Sequence, residues 1–90
     1  MSMGKVMAVV KVMPDSTDRD MNKLQDDLRK ALPKVAEFKG IQVKPIAFGL
    51  KAILFAFVVS DAEGGTEAVE EAFKKVPGVE SVSVDSVDLI

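Results

Sequence analysis

The stretch Leu50-Lys51-Ala52-Ile53-Leu54-Phe55-Ala56-Phe57-Val58-Val59-Ser60 limits what this chain can fold into more than any other, because it is the most apolar run in 90 residues and is rich in Ile, Phe and Val. β-Branched and aromatic side chains fit a pleated, half-buried surface. A run this short, without polar alternation, predicts a central strand buried on at least one face and largely on both. Its unbroken part, Ile53–Val59, is seven residues long, far below the roughly 18 that a membrane-spanning helix requires. A central strand needs neighbours. A chain of this size buries only about 60–70% of its unfolded surface, so almost every other element must contribute to one core.

The flanking sequence supplies those elements. From Lys5 to Met13 the chain is dense in Val and Met and stops at Pro14, which cannot donate a ladder hydrogen bond, so this is a strand. Asp15, Ser16, Thr17 and Asp18 offer oxygens to cap a helix, and Met21, Leu24, Leu28, Ala31 and Leu32 recur at helical spacing until Pro33. Between Val35 and Ile46 the apolar pattern is weaker and reads as an edge strand with a bulge at Gly40, followed by a turn over Ala47–Gly49. Asp61–Gly65 breaks the central strand. Thr66 is then a good N-cap with Glu67 in the first turn, and Ala68, Val69, Ala72, Phe73 and Val76 form a helical stripe closed by Pro77 and Gly78. Val79, Val82, Val84, Val87 and Leu89 give a final strand, with Ser81, Ser83 and Asp85 outward. Strand, helix, strand, strand, helix, strand is the split β-α-β unit used twice. It predicts an α+β, ferredoxin-like βαββαβ sandwich over one domain, residues 1–90, with a four-stranded antiparallel sheet and both helices on one face. The other face is left uncovered, and presents either Phe55 and Phe57 or Leu54 and Val58, depending on which parity faces the helices.

Composition narrows the function. The chain has no Cys and no His, which removes disulfides, thiolate zinc sites, cysteine nucleophiles, the usual metal ligand and the usual general base. With no Trp, no Tyr and a net charge of -2, it lacks the positive excess and the stacking faces of a general nucleic-acid clamp. A binding module is favoured over an enzyme. No targeting segment is evident, which places the protein in the cytoplasm and away from membranes. Charge is also segregated: residues 29–51 hold six bases against Glu37, a net of +5, whereas residues 61–90 hold eight acids against Lys74 and Lys75, a net of -6. Such polarity either keeps a small domain soluble or steers it toward a partner of mixed charge.

Chemical motifs are weak. Asp15, Asp18 and Asp20 lack the central Gly and distal Glu of a calcium loop and read as caps. Gly64 and Gly65 precede a helix without the Lys-Ser or Lys-Thr of a phosphate loop, and Glu67 and Glu70 would repel an anion. Phe55-Ala56-Phe57-Val58 is similar to the aromatic core of an RNA-recognition motif, but Ile53 and Leu54 replace its basic residue and glycine and the first strand has no aromatic. Pro14-Asp15-Ser16-Thr17-Asp18 puts acid where an acylphosphatase needs an Arg-bearing phosphate loop. No catalytic residue, cofactor site or metal site is expected.

Four further segments lie in register along the chain: Val10-Lys11-Val12-Met13-Pro14, Pro45-Ile46-Ala47-Phe48-Gly49-Leu50, Asp61-Ala62-Glu63-Gly64-Gly65-Thr66-Glu67 and Gly78-Val79-Glu80-Ser81-Val82. Together they resemble the archaeal elongation factor 1-beta family over essentially the whole length. The resemblance implies a guanine nucleotide exchange domain of translation elongation factor 1, which eukaryotic relatives carry at the C-terminus of a longer subunit. It implies a partner, the GTPase elongation factor 1-alpha in its GDP-bound and nucleotide-free states, and GDP release without covalent chemistry, nucleic acid or cofactor. The family's inserting aromatic matches Phe48, within a contact formed by Pro45, Ala47, Phe48, Gly49 and Lys51, and the chain end Val87, Asp88, Leu89 and Ile90 is expected to act together with Phe48. Many eukaryotic members place a Lys next to the C-terminus, toward the partner's magnesium region; here that position is Leu89, after Asp88. The competing reading is a ferredoxin-like module that binds RNA or dimerises through its open sheet face.

Overall fold

Burial alternates strictly along the first strand: Val6, Ala8, Val10 and Val12 are buried while Met7, Val9, Lys11 and Met13 are only partly so, as expected when one face of a sheet is covered and the other is not. In this computed structural model, which describes residues 4–16, 20–34, 36–46, 49–60 and 66–89, the elements are β1 (Lys5–Pro14), α1 (Met21–Ala31), β2 (Ala36–Pro45), β3 (Lys51–Ser60), α2 (Glu67–Lys74) and β4 (Val79–Leu89). All strand pairs are antiparallel, in the order β2-β3-β1-β4. The architecture is the expected ferredoxin-like α+β sandwich.

The register decides which parity of β3 is inside. Val10 pairs with Phe55, Ala8 with Phe57 and Val12 with Ile53, so the two phenylalanines share the face of the buried valines and are themselves fully buried. The open face therefore carries Leu54 and Val58. Phe55 is the centre of an aromatic cluster, edge-on to Phe73 at 4.8 Å and to Phe38 at 5.2 Å, with Phe57 tilted at 6.3 Å. Leu24 and Leu28 from α1 and Val69 and Phe73 from α2 complete the core. Ala68, placed by its spacing in the α2 stripe, is instead exposed, because only the Val69–Phe73 side of that helix meets the sheet.

Every change of apolar parity along an edge strand coincides with a bulge. In β2 the inward residues run Ala36, Phe38, then Ile41, Val43, and the pairing shifts between Phe38 and Gly40, as anticipated at Gly40. In β4 the inward residues are Val79, then Val82 and Val84, then Val87 and Leu89, with shifts that leave Glu80 and Asp85 unpaired in the ladder. An extra residue reverses which face the following side chains take. Asp85, without a partner in the ladder, still lies over the open face beside Val9, Leu54 and Ala56, so it stays with the outward row of Ser81 and Ser83, which Ser86 and Asp88 continue.

The caps also differ in detail from expectation. Among the described residues it is Asp20 that caps α1, its Oδ1 accepting from the N–H groups of Asn22 at 3.0 Å and Lys23 at 3.2 Å; Thr17 and Asp18 lie outside the described residues. Leu32 ends α1 in an extended conformation (ψ 122°), as the residue before a proline must avoid the helical region. Thr66 occupies the N-cap position of α2, but its hydroxyl donates to the Glu70 carboxylate at 3.2 Å instead of accepting from a backbone N–H. Gly78 closes α2 with φ 97°, a value that L side chains rarely adopt. Its carbonyl accepts from the Asp15 N–H at 2.9 Å, tying the end of β1 to the start of β4.

Candidate partner-binding site

The β2–β3 hairpin is held shut by local hydrogen bonding. Pro45 pairs with Lys51 at the end of the ladder, and the Ile46 N–H donates to the Leu50 carbonyl at 2.8 Å. Gly49 takes φ 79°, which turns the chain back without the Cβ clash that another residue would suffer. Pro45, Gly49 and Lys51 are all exposed. Ala47 and Phe48, the tip of the expected contact, lie outside the described residues. Ile46, missed in reading the sequence, is 48% exposed beside them. The sequence pattern puts Ile46 at the end of the edge strand; in the structure that strand stops at Pro45, which leaves Ile46 with no core to enter.

The chain end lies elsewhere. Leu89 pairs with Val6 and Val6 with Val59, whereas Pro45 pairs with Lys51, so the two groups occupy opposite ends of the sheet. From Lys51 to Val59 along β3 is about 26 Å at roughly 3.3 Å per residue. The residues expected to act together therefore form two exposed groups, Pro45, Gly49 and Lys51 at one end of the sheet and Val87, Asp88 and Leu89 at the other; Ile90 lies outside the described residues. Val87 is 49% and Leu89 77% exposed on the helix-facing side of β4, next to Val84. α2 is about 12 Å long against about 36 Å for β4, so the helix cannot cover the far end of that edge strand. Asp88 projects to the opposite, open face.

That open face has at its centre Met7, Val9, Lys11 and Met13 from β1 and Leu54, Ala56 and the buried Val58 from β3, so a single cation stands among apolar side chains, with polar margins on either side. Glu37, Gln42 and Lys44 line the β2 side; Ser81, Ser83, Asp85, Ser86 and Asp88 line the β4 side. It carries no aromatic ring among the described residues. Nor do the described residues include a buried polar or charged side chain, or a group of three or more His, Cys, Asp or Glu placed to hold a metal ion. No helix among them is long and apolar enough to cross a membrane.

Comparison with known proteins agrees with this picture. Residues 7–90 match the EF-1 guanine nucleotide exchange domain family. The chain is 57% identical over 84 residues to an elongation factor 1-beta of Methanocella arvoryzae, covering 93% of this chain and 94% of that one. It is 54% identical over 85 residues to one from Halorubrum lacusprofundi, covering 94% and 97%, and 51% identical over 82 residues to one from Methanococcoides burtonii, covering 91% and 92%.

Proposed function

The chain belongs to the EF-1 guanine nucleotide exchange domain family, whose members serve translation elongation by exchanging guanine nucleotide on a partner GTPase, and from this premise we propose that it acts by protein contact alone. It binds elongation factor 1-alpha in the cytoplasm, first with GDP bound and then empty, and lets GTP enter. The family match over residues 7–90 carries this reading.

Exchange needs no catalytic side chain. If the factor binds the empty GTPase more tightly than the GDP-bound form, linkage requires that it weaken GDP binding by the same ratio. A thousandfold acceleration corresponds to about 4 kcal/mol at roughly 1.4 kcal/mol per decade. An exposed ion pair contributes only about 0–1 kcal/mol, too little for Lys51 to act alone. A wedge that displaces a metal-bound switch segment can supply more, because such segments are held by the nucleotide and its metal. Phe48 is the wedge in this reading, and the described residues on either side of it in sequence, Ile46 and Leu50, are joined by a hydrogen bond next to the positive-φ Gly49. The exposed end Val87–Leu89 makes a second contact about 26 Å away, so the partner has to span the length of the sheet. Leu89 supplies apolar area there and no cation.

RNA binding through the sheet is not favoured. Phe55 and Phe57, the rings on which bases would stack, are buried against the helices.

The test is release of fluorescent GDP from the cognate elongation factor 1-alpha. We expect strong acceleration by the unsubstituted protein and little by Phe48→Ala with an unchanged circular dichroism spectrum. Equal acceleration by both would remove the wedge role, and no acceleration by either would overturn the exchange reading.

A further inference from the structure

The segregation of charge along the chain becomes a segregation in space through the strand order. β2 and β4 are the two edges of the sheet, separated by three interstrand spacings, about 14 Å. On the β2 edge and the adjoining end of α1 stand Arg29, Lys30, Lys34, Lys39 and Lys44, all exposed. Of these only Lys39 has an ion pair among the described residues, with Glu37 at 3.6 Å. The Arg29 guanidinium lies 4.8 Å from the centre of the Phe38 ring, which holds it out over the edge, and Asp26 is the acid that shares its groove with Lys30. On the opposite edge Glu80, Asp85 and Asp88 are exposed and form no ion pair among the described residues. Two of those acids, Glu80 and Asp85, are bulge residues without a ladder partner, and Asp85 lies over the open face beside Val9 and Leu54.

Unpaired surface charge adds little to stability, yet here it is sorted by sign onto opposite edges. At ordinary ionic strength the Debye length is about 8–10 Å, shorter than the sheet is wide, so each edge acts as its own pole. We infer that these edges are an orienting device: the basic α1–β2 edge meets an acidic patch on the partner GTPase while the acidic β4 edge meets a basic one, so that the hairpin end arrives in a single orientation. A polyanion such as RNA fits less well, because its charge would meet the acidic edge about 14 Å from the basic one. A folded protein surface of mixed charge satisfies both. The inference rests on the exchange reading and extends it from the wedge to the approach.

Electrostatic steering raises association rates by 10-fold to 1,000-fold and fades with salt. The experiment is the second-order rate constant for stimulated GDP release, measured from 20 mM to 500 mM salt by stopped flow. The unsubstituted protein tests the exchange reading independently of steering: if it does not stimulate release at any salt, that reading fails first. With stimulation present, Lys30→Glu/Lys34→Glu should lower the rate constant about tenfold at low salt and flatten its salt dependence. Asp85→Lys should act in the same direction. Lys23→Glu/Lys74→Glu changes net charge by the same amount as the first variant, outside β2, β4 and the C-terminal end of α1, and should retain the rate. A salt-independent rate for the unsubstituted protein, an unchanged rate in Lys30→Glu/Lys34→Glu, or an equal loss in the control pair would overturn the inference. Salt-sensitive retention on single-stranded RNA that Lys30→Glu/Lys34→Glu abolishes would assign the edge to nucleic acid instead.

Discussion

Replacing Phe55 by Ala tests the orientation of the whole sheet. The ring is fully buried and meets three other phenylalanines, at 4.8, 5.2 and 6.3 Å. Truncating a buried Phe costs about 3–5 kcal/mol, with the spread set by how far the site can collapse. Collapse here is limited, because Phe38 comes from β2, Phe57 from β3 and Phe73 from α2, and no one element can move to fill the gap. Aromatic pairs add roughly 0.5–1.5 kcal/mol beyond their area, so the loss should fall near the top of the range, about 4–5 kcal/mol. A domain of 90 residues has a total stability of roughly 5–13 kcal/mol, and a loss of this size lowers Tm by about 15–30 °C. Leu54→Ala, next along β3 but on the open face, removes a partly exposed side chain and should cost less than about 1.5 kcal/mol. Urea and thermal unfolding followed by circular dichroism would measure both. If Leu54→Ala proved the more damaging of the two, the sheet would face the other way, and stacking of bases on Phe55 and Phe57 would return as a reading.

Further expectations concern the elements that present the site. Asp20→Ala removes the carboxylate that caps α1 and should cost about 1 kcal/mol, with Asp20→Asn recovering most of it, read as a shift in Tm. Gly49→Ala should cost about 1–2 kcal/mol from positive φ alone, since nothing lies within 4 Å of the added Cβ. Gly40→Ala meets equally open space without positive φ and should be neutral or stabilising by up to about 1 kcal/mol, so the pair separates conformational strain from crowding in the same assay.

Much of the fold could be read from local chemistry. Pro14, Pro33 and Pro77 each mark the end of an element because proline lacks the N–H or the conformation that would continue it, and the six elements fall in the expected order. The β2 bulge was signalled by Gly40. The two bulges of β4 were signalled as well, by an apolar series that changes parity after Val79 and again after Val84, though that series read as one continuous strand. The hairpin turn was legible through Pro45 and Gly49, whose backbone limits make a turn, and the structure adds the exposed Ile46 beside it.

The sequence by itself determined which segments are strands and helices, where they stop, that the chain has neither His nor Cys, and how charge is divided along it. Those properties depend on residues a few positions apart, through caps, turns and periodicity. Tertiary structure alone decided three things. Pairing of Val10 with Phe55 turned the phenylalanines inward; pairing of Val6 with Leu89 set the chain end about 26 Å from the hairpin; and the order β2-β3-β1-β4 sent the basic and acidic segments to opposite edges. Each depends on pairing between strands distant in sequence, and a slip of one residue in the β1–β3 register would put Leu54 and Val58 on the helix side in place of the phenylalanines.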